Sequence, residues 1–330
     1  MLIKFFRSSY LIQYFALALI TAALWIPGFR ENQGLPVAPA VIAPIYGMLH
    51  YVLSLHPVAS PAFAIAIILV TAFALNNILI FHELTPKNNL LPAFLFIVLM
   101  SSNPHTLCSY PVLTALLFFV WFLHTIYRMN DSPDNYMEVF NASMLASVIS
   151  MIYPVASLLF FFIWITLLVY GTFNGRNLLI SFIAFSLPYL YLFLYFFWTD
   201  GIDEALAAYV ALFREIMVFS MNREILQIIL WALFTLFMLI PSFFRITGNL
   251  SSFGINFRKK MAATAWLLAF SIPMIVMQGK VDYHTLLFLP ATILIAHYFH
   301  QFKKSVLNET VLLVFILLAL IGNYWPLLHA

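Results

Sequence analysis

The chain is poor in charge and nearly devoid of cysteine. Of its 330 residues only 8% are Asp, Glu, Lys or Arg, against about a quarter in ordinary soluble domains. The single cysteine, Cys108, excludes an internal disulfide and any CxxC metal or redox motif. A formal net charge of +3 is too small to attract nucleic acid, so no nucleic-acid partner is expected. No P-loop, Rossmann glycine pattern, GxSxG elbow, kinase signature or HExxH is present, and neither a cofactor nor a metal is expected. There is no repeat, no low-complexity segment and no stretch polar enough to form a soluble domain.

What the chain has in abundance is apolar surface: 64% hydrophobic residues, with 35 Phe. No soluble fold covers that much. Runs such as Val155 to Tyr170 and Leu178 to Trp198 carry no charge at all, and windows of about 20 apolar residues match a hydrocarbon layer about 30 Å thick. They are apolar on every face rather than alternating, which selects helices over a barrel. The expected fold is therefore all-α, a polytopic transmembrane bundle formed by one membrane-embedded domain over residues 1–330. Lys4 and Arg7 precede the first apolar run, and Trp25, Pro27 and Arg30 follow it where a cleavage site would need small residues. That run reads as a retained first helix.

Hydrophobic runs bounded by charge, Gly and Pro fall near residues 9–28, 59–81, 90–102, 111–127, 139–153, 155–170, 178–198, 225–242, 261–277, 285–300 and 311–326, about 11 spans in all. The run from Leu90 to Ser102 rises only about 20 Å, too little to cross alone. It reads as half of a broken pair, with Pro104 and Pro111 at the break. With the N-terminus in the cytoplasm, Lys4, Arg7, Lys87, Arg128, Arg176, Arg245, Arg258, Lys259, Lys260, Lys303 and Lys304 fall inside, and Arg30, Arg214, Arg223 and Lys280 outside. That bias is the positive-inside pattern, and it fits a multi-pass membrane protein with its N-terminus in the cytoplasm.

Two outer segments hold more than a connection. Val37 to Ile45 and Tyr46 to Leu55 are apolar and too short to span, so they are expected to lie in the interface. Within 199–224, Ile202, Leu206, Tyr209, Phe213, Ile216 and Met217 share one helical face while Asp203, Glu204, Arg214 and Glu215 avoid it, the pattern of a helix lying on a membrane.

The outer face gathers the scarce ionisable groups Arg30, Glu31, His50, His56, His105, Asp200, Asp203, Glu204, Lys280, Asp282 and His284. A carboxylate there can act as general base toward a hydroxyl, with Arg, Lys or His stabilising a phosphate leaving group. The plainer reading is a set of solvated anchors at helix ends. Glu31 is the candidate catalytic residue, and Arg30, Lys280, Asp282 and His284 are the candidate substrate-binding residues. On the other face, His124 within an apolar run is expected to form an interhelical hydrogen bond. His297 and His300 are expected at headgroups. Asp131, Asp134 and Glu138 form an acidic cluster whose DxxD resembles a diphosphate or metal motif but reads more plainly as a solvated loop cluster, since such matches are common in loops, and Asn76 and Asn77 read as interhelical polar contacts.

The layout resembles that of the GT-C superfamily of polyprenyl-phosphate-dependent glycosyltransferases. In that class the first helix delivers an acidic residue into a first outer loop holding membrane-lying helices, as Glu31 and Val37 to Leu55 would here. A basic and aromatic outer segment also leads into an apolar helix with an early proline, as do Lys280, Tyr283, His284 and Leu286 to Ala296. Where the class carries an acidic pair, this chain has Arg30-Glu31-Asn32, and it has no large periplasmic domain. The run Phe140-Asn141-Ala142-Ser143 through Tyr153-Pro154, with Gly175-Arg176-Asn177 and Pro188-Tyr189, is also similar to a family of Phe-rich polytopic inner-membrane proteins of Bacteroidota that brings no assigned activity. The resemblance implies a glycosyltransferase acting at the periplasmic face, with membrane lipids and a polyprenyl-phosphate-linked sugar as partners. Two alternatives stay open: a non-enzymatic subunit or scaffold bound to other envelope membrane proteins, and a lipid or small-solute transporter.

Overall fold

The computed structural model describes residues 2–29, 44–56, 58–102, 111–132, 134–217, 237, 239–244, 248, 253–278, 285–301 and 306–329. The described residues are helical, with no strand among them. In chain order the helices are α1 (Leu2–Phe6), α2 (Leu11–Trp25), α3 (Pro44–Ser54), α4 (Ala59–Phe81), α5 (Leu91–Met100), α6 (Pro111–Asp131), α7 (Tyr136–Ile152), α8 (Leu159–Tyr170), α9 (Gly175–Trp198), α10 (Ile202–Met217), α11 (Ile255–Gln278), α12 (Thr285–Gln301) and α13 (Val306–His329). Among the described residues four stretches, Leu11–Phe29, Ala59–Phe81, Pro111–Asp131 and Gly175–Trp198, are long and apolar enough to cross a membrane.

Local chemistry sets the helix ends. At the start of α2 the Gln13 amide donates to the Phe5 carbonyl and the Ser8 hydroxyl while its carbonyl accepts from the Tyr10 N–H, a side-chain cap for otherwise orphaned backbone. Helix α9 starts where the Asn174 side chain accepts from the Asn177 N–H at 2.7 Å. Pro154 cannot continue α7, and a 3₁₀ turn from Pro154 to Leu158 hands over to α8. Helix α8 stops at Gly171, whose φ of 76° is left-handed and costs a glycine nothing.

Helix α5 sits at the centre, and all ten of its residues are buried. At about 15 Å it is too short to span, and it does not need to, because neighbouring helices enclose it. Leu95, Val98 and Leu99 meet Ile295 and Phe299 of α12 and Leu312 and Phe315 of α13. Helix α7 packs most extensively on α9 and α6. It does so with Ala142, Ser143, Ala146, Ser147 and Ser150, all buried. Small residues let helix backbones approach closely where no hydrophobic effect drives association.

Hydrogen bonds define the two ends of the bundle. At one end the Leu90 N–H donates to the Phe6 carbonyl, Arg7 to the Phe299 carbonyl, and Lys260 meets Asp131. Apart from Arg214 on α10, the described cations Lys4, Arg7, Lys87, Arg128, Arg176, Arg258, Lys259 and Lys260 lie on elements joined there. This is the basic end. At the far end the Trp25 indole donates to Ser101 Oγ at 2.9 Å. Asn323 of α13 donates to the carbonyls of Leu24 and Ser101 at 3.0 and 2.9 Å, and the Tyr324 hydroxyl to the Ala23 carbonyl at 2.8 Å. One asparagine thus caps two helix C-termini from a third helix.

If close approach of α7 holds the bundle, a larger side chain in the seam must force it apart. Ala146→Leu is expected to cost about 1–3 kcal/mol and to lower the thermal unfolding midpoint of the detergent-purified protein. An unchanged midpoint would remove the small-residue seam as a source of stability.

Candidate functional site

The residues singled out as catalytic and substrate-binding, Glu31, Arg30, Lys280, Asp282 and His284, lie outside the described residues, as does His105. What is described is their scaffold. The chain reaches Arg30 through Trp25 and a 3₁₀ turn from Ile26 to Phe29 in which Pro27 and Gly28 are buried. Two helices, α5 and α13, clamp that point through Ser101, Asn323 and Tyr324. The segment holding Lys280, Asp282 and His284 leaves α11 after Gln278 and enters α12 at Thr285. Helix α11 starts at the basic end with Lys260, and its Met274 carbonyl accepts from the Tyr153 hydroxyl at 3.1 Å at the far end of α7. Helix α12 finishes at the basic end, where Arg7 meets Phe299, so it begins at the far end. The described flanks of both candidate segments therefore share the far end of the bundle.

Helices also form in both of the outer segments. Residues 44–54 make α3, which packs on α7 and α4; Val37 to Ala43 lie outside the described residues. Residues 202–217 make α10, in which Ala205 is buried, Tyr209 half-buried and Leu206 65% exposed, and an exposed Leu206 agrees with an apolar face turned away from the bundle. Of the remaining outer groups, His50 lies against Tyr46, and exposed His56 accepts from the Val58 N–H.

The described polar cluster with the most ionisable groups is at the basic end. His82 caps α4, Asp131 ends α6, and Lys260 stands in the second turn of α11. Lys260 Nζ lies 2.8 Å from both Asp131 carboxylate oxygens, and His82 Nδ1 lies 3.1 Å from Asp131 Oδ2. His82 Nε2 is 3.1 Å from His124 Nδ1, which is the interhelical bond expected of His124. One rotation of α11 inward, the Tyr127 and Thr264 hydroxyls are 2.6 Å apart. Lys259 donates to the Tyr170 carbonyl at 2.8 Å, and the buried Tyr170 hydroxyl has no hydrogen-bond partner among the described residues.

Lys260 and His82 are nearly enclosed while the Asp131 side chain keeps 39% of its exposure. Burial first, and then the Lys260 charge, push His82 down to about 4, so it is neutral at pH 7. A neutral His82 protonated on Nδ1 donates to Asp131 and accepts from His124 through Nε2, which satisfies all three groups. The cluster is thus a neutral lysine–carboxylate pair braced by two imidazoles. It locks α4, α6 and α11 together, because removing one partner of such a pair leaves the other charge stranded. Lys260 occupies the place a bound cation would take, and among the described residues no three His, Cys, Asp or Glu side chains converge on a metal.

Two readings of isolated residues change. Asp131 and Glu138 are partners in these contacts rather than a solvated cluster: Glu138 is buried and accepts from Ser132 at 3.0 Å, with Arg128 at 3.4 Å. His297 is buried between the rings of Phe253 and Phe257, at 5.4 and 5.0 Å, and so does not reach headgroups. Asn76 is buried with its carbonyl oxygen unpartnered among the described residues, while Asn77 is exposed. His82 and Lys260 carried no sequence signal beyond lying at the ends of apolar runs. Their spacing from Asp131 has no period that links them.

No family model, curated protein or solved structure matches the chain.

The depressed His82 has a signed consequence. Above pH 6.5 it is neutral folded or unfolded and contributes nothing to the pH dependence. As pH falls from 6.5 toward 4 the unfolded chain gains a proton that the folded chain refuses, so stability declines across that window. The thermal midpoint should therefore drop between pH 6.5 and 4, and more steeply than in His82→Gln. Equal slopes for the two proteins would contradict the assignment.

Proposed function

We infer that the chain is a multi-pass protein of the bacterial inner membrane, with about 11 spans and its basic end in the cytoplasm, that transfers a sugar from a polyprenyl-phosphate donor to a lipid or envelope acceptor at the outer face. The orientation is supported by the described cations, all of which but Arg214 on α10 gather at one end, as a positive-inside bias would have it. The observation that carries the enzymatic reading is the shared far end. The described flanks of the two candidate segments, Trp25 with Ser101 and Asn323 and the helix ends at Gln278 and Thr285, stand at one end of the bundle, which supports a meeting of segments some 250 positions apart. Helices α3 and α10, formed in the two outer segments, agree with that layout.

In this reading an acceptor hydroxyl attacks the anomeric carbon, the bond from that carbon to the phosphate oxygen breaks, and Glu31 takes the acceptor's proton. Arg30, Lys280 and His284 stabilise the charge that develops on the departing polyprenyl phosphate, and Asp282 joins them in holding the substrate. Paired charges at a water-facing helix end do this at low cost in stability, whereas the same groups at mid-membrane would not.

Glu31→Gln removes the base and little else. Sugar transfer in proteoliposomes is expected to fall by about 10²–10⁴-fold while membrane insertion and the thermal midpoint stay unchanged. A fully active Glu31→Gln protein would overturn the assignment, and a stoichiometric partner retained in mild detergent would then favour the reading as a subunit of an envelope complex.

A further inference from the structure

We propose that the turn joining α8 to α9, together with the start of α11 packed on it, is a binding surface for the headgroups of anionic phospholipids. Cations stand on both sides of that turn. On one side Lys259 of α11 donates to the Tyr170 carbonyl at 2.8 Å, and Arg258 is exposed beside it. On the other side Arg176 is exposed, its guanidinium 4.0 Å over the ring of Tyr136 at the start of α7.

Polar side chains hold the turn between them in place. Asn135 donates to the Thr172 hydroxyl at 2.9 Å. Asn177 donates to the Thr172 carbonyl at 2.8 Å and to the Asn135 side-chain carbonyl at 3.1 Å. Left-handed Gly171 fixes where the turn begins and the Asn174 cap where it ends. Thr172 is two residues from Tyr170, and Asn135 is next to Tyr136, so an unbroken line of contacts joins Lys259 to Arg176. These three cations are not spent on carboxylates. At the same end of the bundle Arg128 pairs with Glu138 and Lys260 with Asp131, whereas Arg176, Arg258 and Lys259 have no acidic partner among the described residues. Exposed Asp134, next to Asn135, offsets one of the three.

Apolar side chains at the same level select a lipid surface over a free anion. Phe173 in the turn is 45% exposed, and Ile255 at the start of α11 is 64% exposed. Arg176 shares a helical face with Leu179, Phe182 and Ile183, all exposed, on a span of which only 11% is buried. A lipid whose phosphate meets Arg176 therefore has an apolar wall directly below for its acyl chains. At the other end of α9 the charge reverses: Asp200 follows Trp198, and Asp203 and Glu204 stand exposed in the first turn of α10. One helix thus offers lipid a basic end and an acidic end. Each basic residue brought to an anionic membrane surface strengthens binding by about fivefold, so the two ends must differ in the lipids they hold.

The test uses the full chain in nanodiscs of mixed phosphatidylglycerol and phosphatidylcholine, labelled in parallel with photoreactive forms of each lipid. The ratio of phosphatidylglycerol to phosphatidylcholine labelling is expected to be higher at residues 173–183 than at residues 190–198 of the same helix. Arg176→Gln and Arg258→Gln should each lower the ratio at 173–183 by up to about fivefold and leave that at 190–198 unchanged, with the thermal midpoint as the check on folding. Exchanging chloride for inorganic phosphate at equal ionic strength should change neither. Equal ratios at the two ends in the unsubstituted protein, an unchanged ratio in a folded double variant, or displacement by inorganic phosphate, the mark of a free-anion site, would each rule the surface out. Labelling needs no sugar donor, so the result stands apart from the sugar-transfer reading.

Discussion

A hydrocarbon layer supplies no hydrogen bonds, and that single constraint shapes the protein. Backbone groups must be satisfied within each helix, so the described chain is helical, and charges must reach water or find partners. Both outcomes occur. Most described charged side chains stand at helix ends, and Lys260, carried inward, is met by both oxygens of Asp131. Polar side chains inside the bundle mostly turn back onto their own helix, as Thr21, Thr71, Ser143 and Thr166 do. Those that cross between helices, Asn323, Tyr127, Tyr153 and Tyr189, mark where helices are fixed against one another.

Two such ties stand at opposite ends and do different work. The basic end is closed by charge, with His82, His124, Asp131 and Lys260 drawing α4, α6 and α11 into one node. The far end is closed by neutral hydrogen bonds from Asn323 and Trp25 to helix termini, which use up carbonyls that would otherwise face hydrocarbon. Helix α11 runs between them, anchored at Lys260 and again at the Met274 carbonyl. A strut pinned at both ends fixes Gln278, the last described residue of α11, at the far end of the bundle.

Much of the architecture was legible because apolar runs of the right length have few alternatives. Runs near 59–81, 111–127 and 178–198 became α4, α6 and α9 with shifts of a few residues at their ends. The break at Tyr153-Pro154 was legible from proline chemistry, and the short run near 90–102 became a helix, Leu91–Met100, whose burial on every side cannot be read from one segment. The node was not legible either. Its members stand at 82, 124, 131 and 260, and only tertiary packing brings them together. His297 misled for the same reason: nearness to Lys303 and Lys304 in sequence suggested headgroups, while Phe253 and Phe257, far away in sequence, cover it. Composition spoke clearly of the membrane and said little of chemistry, since carboxylates and amines at helix ends look alike whether they catalyse or merely anchor.

The claim on which function turns is that the segments at Glu31 and Lys280 to His284 meet at the far end. Paired cysteines at Asn32 and Tyr283, introduced in a Cys108→Ser protein and treated with a short bifunctional maleimide, address it directly. Ser9 and Asn88, whose side chains lie 3.4 Å apart at the basic end, supply a paired-cysteine control. The expected result is cross-linking of both pairs, with only the Asn32 and Tyr283 pair blocked by a membrane-impermeant thiol reagent added from outside the cell. Cross-linking of the control alone would contradict it, leaving Glu31 and Lys280 as separate anchors with no common site.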